Sequence, residues 1–268
     1  MSGWLGVLGL GAIASVAADG LQGKLVLTGS STIAPLAAEL GKKFEQLHPG
    51  VRVDVQSGGS SRGVADARSG LADIGMASRV LNSEESDLFA FTIALDGVCV
   101  ILHTDNPVKS LSYEQIVHIY TGKIRNWKEV EGVDAPITVV NKAEGRSTLE
   151  LFLHYFKLKN AAVKADVIIG DNEQGIKTVA GNPNAIGYVS IGTAEYDADH
   201  GTSIKLLPMS GVAASVKNVL NGTFPLTRPL NLITNTPPQG LAKAFIDFAR
   251  SPDAGHLIRE QNFVPPPQ

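Results

Sequence analysis

Three times along this chain a short apolar run gives way to a loop of glycines and hydroxyl residues and then at once to a helical pattern. The first occurrence is Leu25-Val26-Leu27, then Thr28-Gly29-Ser30-Ser31-Thr32, then Ile33, Leu36, Ala37, Leu40, Phe44 and Leu47 at helical spacing. The second is the alternating strand Val51-Arg52-Val53-Asp54-Val55, which runs into Ser57-Gly58-Gly59-Ser60-Ser61-Arg62-Gly63 and a helix ending near Gly70. The third is Ile137-Thr138-Val139-Val140, then Asn141-Lys142-Ala143-Glu144-Gly145-Arg146-Ser147-Thr148, then Leu149, Phe152, Leu153 and Phe156. A helix start leaves backbone N–H groups without partners and carries the positive end of the macrodipole. Hydroxyl side chains beside it complete a cradle for an oxyanion. One such turn only caps a helix; three of them point to a shared anion.

The pattern also dictates the fold class. A further strand at Ala72–Ser78 closes a βαβαβ unit whose parallel strands send their loops to one sheet edge, where open α/β sheets bind ligands. The first cradle places Ser31 or Thr32 at the N-cap and Pro35 in the first helical turn, where its missing N–H costs nothing. Phe91–His103 is a long apolar run broken only by Asp96-Gly97, and Ala185–Ser190 is a later buried strand. Reading these as outward and return crossings gives two lobes, 23–104 with 191–268 and 105–190 between. The expected architecture is α/β, each lobe a mixed, mostly parallel sheet flanked by helices, with the ligand cleft between the lobes.

Positive charge is concentrated near the cradles. Arg79 follows the third strand, and Lys142 and Arg146 lie in the third loop. The chain as a whole has a net charge of −3, which argues against a general nucleic-acid binder, so anion binding has to be local. The apolar run Leu5–Ala14 followed by Ser15-Val16-Ala17-Ala18 is expected to be a signal peptide over 1–18, placing the protein outside the cytoplasm; no Lys or Arg precedes Lys24 to form a basic leader. The one cysteine, Cys99, sits within an apolar strand as a small core residue.

A different class of function enters through Gly59-Ser60-Ser61-Arg62-Gly63, which fits a nucleophile elbow with Ser61 as the attacking serine of a hydrolase. His103, His118, His154, His200 and His256 are the available bases, and no flanking pattern singles one out. An elbow leaves the other two cradles unexplained. No metal-ligand spacing occurs among the histidines and the cysteine, and no metal or cofactor is expected.

Taken together, Gly29-Ser30-Ser31-Thr32, Gly59-Ser60-Ser61-Arg62-Gly63, Asp73-Ile74-Gly75-Met76-Ala77-Ser78-Arg79, Tyr120-Thr121-Gly122-Lys123-Ile124-Arg125-Asn126-Trp127, Glu144-Gly145-Arg146-Ser147-Thr148 and Ala185-Ile186-Gly187-Tyr188-Val189 resemble the phosphate-binding proteins of bacterial ABC phosphate importers. The resemblance implies a monomeric, two-lobed periplasmic binding protein without a catalytic step. Such a protein closes on inorganic phosphate and hands it to a membrane permease. It further implies that Ser31, Thr32, Ile33, Ser60 and Ser61 donate from one lobe and Ser147 and Thr148 from the other. Two departures bear on the ion. Lys142 and Arg146 stand where the family pattern has Arg and Ser, and Arg79 stands where many members carry the aspartate that accepts the phosphate proton. Glu144 and Asp96 are the alternative acceptors, and sulfate, molybdate or tungstate is the alternative ligand.

Overall fold

A strand of fifteen residues, Phe89–His103, runs through both halves of the molecule and belongs to both of their sheets. The computed structural model describes residues 20–266, so the expected signal segment over 1–18 lies outside the described residues. In chain order the strands are β1 (Gln22–Gly29), β2 (Gly50–Ser57), β3 (Ile74–Ala77), β4 (Phe89–His103), β5 (Thr138–Lys142), β6 (Val167–Ile169), β7 (Ala185–Ser190), β8 (Ile204–Leu206) and β9 (Thr227–Thr234). The helices are α1 (Ala34–Leu47), α2 (Ser60–Ser69), α3 (Tyr113–Tyr120), α4 (Ser147–Tyr155), α5 (Asn172–Ala180), α6 (Ile191–Asp199), α7 (Val216–Leu220), α8 (Gly240–Ala249) and α9 (Gly255–Glu260).

The strand order is β2-β1-β3-β9-β4-β7-β5-β6, with β8 also pairing β4. Within it the chain makes the same unit twice. Strands β1, β2 and β3 are parallel in the order 2-1-3, and β5, β6 and β7 are parallel in the order 6-5-7, each set linked by two helices. Both units therefore send their strand-to-helix loops towards their own carboxyl edges.

Strand β4 changes partners at its middle. Phe89–Gly97 pairs antiparallel with β9, and Val98–Leu102 pairs antiparallel with β7. Gly97 marks the change, because a Cβ there would lie 2.6 Å from Ile191 Cδ1. The strand that holds the apolar run Phe91–His103 therefore pairs in both sheets. The return crossing is β9, not the Ala185–Ser190 strand: β7 pairs wholly within the second half, and its six residues are all buried there. An apolar strand looks the same whether it joins two lobes or fills the centre of one.

Each half has its own core. Leu25, Leu27, Leu36, Leu40, Phe44, Met76, Leu230 and Phe245 pack in the first. The second gathers Ile101, Tyr120, Trp127, Phe152 and Tyr188, with the Phe152 and Tyr188 rings stacked at 3.8 Å. Ile191, Ala194, Ile204, Leu207, Val219 and Phe224 also pack into this second core, although the sequence reading groups the segment after Ser190 with the first lobe. Trp127, from the Tyr120–Trp127 motif, is fully buried, and its indole N–H donates to the Asn184 carbonyl at 2.9 Å. That motif serves packing.

Candidate oxyanion site

Four strand-to-helix loops meet where the two sheets face each other, those after β1, β2, β5 and β6, and Ser78 joins them from the end of β3. A small pocket between them is lined by Ser30, Ser31, Thr32, Gly59, Ser60, Ser78, Lys142, Arg146, Ser147, Thr148 and Gly170. Three of the loops are the cradles expected from sequence. The fourth, Gly170-Asp171-Asn172, lacks hydroxyls and starts α5, where Asp171 accepts from the Gln174 N–H at 2.8 Å.

Local geometry at the first loop differs from the expected cap. Helix α1 begins at Ala34 with Pro35 in its first turn, and Ile33 occupies the cap position without a side-chain bond. Ser30 does the capping instead: its Oγ accepts from the N–H groups of Thr32 at 3.2 Å and Ile33 at 3.4 Å. The Ile33 side chain is fully buried in the first core and does not line the pocket. Thr32 faces the pocket. Its Oγ1 accepts from Asn172 Nδ2 at 3.1 Å and from Arg228 Nη2 at 3.2 Å. A hydroxyl has two acceptor sites and one proton, so Thr32 is left to donate its proton elsewhere.

At the second loop the chain has to pass very close to its neighbour. A Cβ on Gly59 would lie 2.6 Å from the Gly145 carbonyl across the cleft, and φ there is +99°, a conformation suited to glycine. Ser60 Oγ accepts from the Ser78 N–H at 3.2 Å and from the Ser147 hydroxyl of the facing lobe. Ser61 points away from the pocket. Its hydroxyl donates to Glu150 Oε1 at 3.2 Å and its N–H donates to the Gly145 carbonyl at 3.2 Å. The nucleophile elbow is therefore an inter-lobe contact, and the partner of the Ser61 hydroxyl is a carboxylate rather than an imidazole.

Arg79, expected beside the ion, is turned the other way. Its guanidinium grips Glu85 through two bonds of 2.6 and 2.7 Å, and Nε lies 2.8 Å from Glu150 Oε2 as an ion pair rather than an aligned hydrogen bond. Asn82 and Glu85 form a capping box over Ser83–Glu85, which returns the carboxylate to Arg79 six residues earlier in the chain. Glu144 is exposed and accepts from Asn160 Nδ2 at 3.0 Å, so it does not reach the pocket. Asp96 is buried with both oxygens engaged, Oδ2 by Arg228 and Oδ1 by the Gly192 N–H at 3.2 Å. Among the described residues no carboxylate lines the pocket.

The cation that sequence reasoning misses is Arg228, on β9. It is 2% exposed, stands opposite Asp96 in the strand register, and donates to it at 2.8 and 3.0 Å. Its remaining N–H groups reach Thr148 Oγ1 at 3.0 Å, Ser78 Oγ at 3.3 Å and Thr32 Oγ1, so one guanidinium ties both lobes' hydroxyls together from behind. These bonds occupy acceptor sites on the hydroxyl oxygens and free the hydroxyl protons for the pocket. Ser147 and Thr148, both buried, open helix α4 directly behind Arg146.

Lys142 lies at the end of β5 and is 3% exposed, with Nζ donating to Asn172 Oδ1 at 2.9 Å. Desolvation first, and then the positive charge of Arg228, push the ammonium down to about 7; Asp171 pulls the other way, and Arg146 adds a smaller push than that pull. Arg146 forms no ion pair among the described residues, so the pocket carries positive potential from Arg146, Lys142 and the helix starts with no lining carboxylate to cancel it.

Comparison with known proteins agrees with this architecture. A family model described as PBP superfamily domain matches residues 14–253. The phosphate-binding protein PstS of Bacillus subtilis is 30% identical over 250 residues, covering 91% of this chain and 81% of that protein. A crystal structure from Clostridium perfringens, of a substrate-binding protein assigned to a phosphate ABC transporter and holding bound phosphate, superposes with a TM-score of 0.83 at 33% identity. It covers 91% of this chain and 100% of that one. An ABC-type phosphate transport receptor from Vibrio cholerae gives 0.70 at 31% identity, with 91% and 100% covered. The expected α/β two-lobed fold and the expected family are both met: this chain belongs to the PBP superfamily and, within it, to the PstS family of substrate-binding proteins.

Proposed function

We propose that this protein captures inorganic phosphate between its two lobes and delivers it to the permease of an ABC importer, acting outside the cytoplasm as a monomer. The observation that carries the reading is the meeting of four strand-to-helix loops, two from each lobe, on one pocket lined by hydroxyls and two cations and, among the described residues, by no carboxylate. We assign ligand contact to Ser31, Thr32, Ser60, Lys142, Arg146, Ser147 and Thr148, with Ser30, Ser78 and Arg228 holding the hydroxyls in place. Arg79, Glu144, Ser61 and Ile33 fall outside the ligand set in this reading. The names of the relatives, and the phosphate in one of the neighbours, support the choice of ion. The hinge lies at the middle of β4 and the start of β9, which puts 98–226 in the second lobe. Because a bound anion touches both lobes, it favours the closed arrangement by its differential affinity. No catalytic step is assigned: in this reading Ser61 bridges the lobes and attacks nothing.

A second ion remains in play for a specific reason. Among the described residues the pocket has no carboxylate in its lining to accept the proton that phosphate keeps and sulfate lacks, so a fully ionised tetrahedral anion fits the same donors. Calorimetric titration with phosphate, sulfate and molybdate decides between them. Preferred binding of phosphate is the expected result, and tighter binding of sulfate or molybdate would overturn the assignment.

A further inference from the structure

Lys142 is an amine sealed into a site that offers it no counter-ion. Its Nζ has the neutral amide of Asn172 as its side-chain partner, and that amide is tied in turn to Thr32 across the cleft. The charged groups around it come from every side. Arg228 on β9 and Arg146 in the turn before α4 oppose its charge, while Asp171 at the start of α5 favours it. From β7 the Tyr188 hydroxyl meets the Lys142 backbone N–H at 3.3 Å, and burial pushes that phenol upward, out of the neutral range. Asp96 is committed to Arg228, and Arg79 to Glu85 and Glu150. A buried ammonium with an amide but no ion pair as its partner is therefore disfavoured until an anion arrives.

From this we infer that in mildly alkaline solution Lys142 is largely uncharged in the closed, ligand-free site and takes one proton from solvent when phosphate binds, so that the ligand supplies the missing counter-ion and the lysine supplies the missing charge. The inference rests on the phosphate reading above and deepens it. It gives a lysine, in place of a carboxylate, the task of matching the site to the ligand's charge. The proton balance is simple: free amine, hydrogen-phosphate dianion and one buffer proton give an ammonium–hydrogen-phosphate pair, with no bond to phosphorus changed. Burial brings the ammonium down to about 7, so the free amine is the main form only in mildly alkaline solution.

The sign of the pH dependence follows by linkage. Above the free-site value the proton has to be taken up for binding, so affinity falls by about tenfold per pH unit until the pH reaches the raised value of the complex. Isothermal titration with inorganic phosphate at about pH 8.5, where free phosphate is already the dianion, is repeated in buffers of different ionisation enthalpy. The expected result for the unaltered protein is uptake of nearly one proton per phosphate. Lys142→Arg carries a permanent charge and is expected to bind with no uptake and with affinity that is flat across the same pH range. If Lys142→Arg does not fold, Lys142→Met serves: it lacks the titrating group and should also show no uptake. Phosphate binding by the unaltered protein without proton uptake would overturn the inference while leaving the phosphate reading intact, as would uptake that persists in Lys142→Arg or Lys142→Met. A protein that binds no phosphate at any pH would overturn both.

Discussion

At the scale of single residues the site depends on Arg228, which is placed behind the pocket instead of in it. The guanidinium and Asp96 are both buried, and the pair is held by two short bonds. Removing one member leaves the other charge without a partner, which costs about 3–5 kcal/mol. Arg228→Ala is therefore expected to lower unfolding stability by that amount in urea titration and to lose phosphate binding, because Thr32 and Thr148 lose the donor that orients them. Arg228→Met combined with Asp96→Leu should recover much of the stability but not the binding, and equal recovery of both would refute the orienting role. The pairing is not legible from sequence, which singles out Asp96 as a possible acceptor and passes over Arg228. Arg228 is separated from Asp96 by 132 residues, so only the register of β4 against β9 brings them together. Arg79 misleads for the opposite reason. Its position just past β3 is legible, but the direction of its side chain is settled by Glu85, a local carboxylate with better access to it than any ligand. The pocket-lining positions of Arg146, Ser147 and Thr148 are legible because they stand at a helix start, a local property, and that of Lys142 because it ends the strand that leads into the same loop.

At the scale of elements the pocket is built from one βαβαβ unit used twice, and its precision comes from how closely the loops approach. Gly59 and Gly145 face each other across the cleft, and both have positive φ. Gly59→Ala is expected to leave each lobe folded but to hold the loops apart, since its Cβ would stand 2.6 Å from the Gly145 carbonyl. The left-handed strain costs about 1–3 kcal/mol, but the diagnostic result is functional. Phosphate affinity should fall at least about tenfold, and the phosphate-induced rise in melting temperature should shrink accordingly. An unchanged affinity would mean that the lobes do not come this close when the ligand is held. Three of the four loops could be read in advance because glycine and hydroxyl residues announce a strand-to-helix turn. The fourth could not, since Gly170-Asp171-Asn172 reads as an ordinary turn with an Asp cap. Its importance lies in the amide of Asn172, which joins Lys142 to Thr32.

At the scale of the whole molecule, β4 and β9 join the lobes and side-chain bridges hold them together. Ser147 meets Ser60, Asn172 meets Thr32, Arg228 meets Thr148, and Glu150 meets both Ser61 and Arg79. All but the last lie at the pocket, where the ligand competes with them or completes them. Glu150 lies outside the lining with its side chain 41% exposed, so it acts on the open–closed equilibrium without touching the anion. A half-exposed pair with one added hydroxyl bond contributes about 0.5–1 kcal/mol. Since about 1.4 kcal/mol is a factor of ten, Glu150→Ala should weaken phosphate binding by roughly two- to fivefold. Raising the salt should shrink the gap between this variant and the parent, because the lost pair is screened. Small-angle scattering without ligand should show the variant more open than the parent, and saturating phosphate should bring the two to the same radius of gyration. If the ligand-free radii match and the affinity still drops, Glu150 acts on the ligand directly and the bridge is not a device for closure.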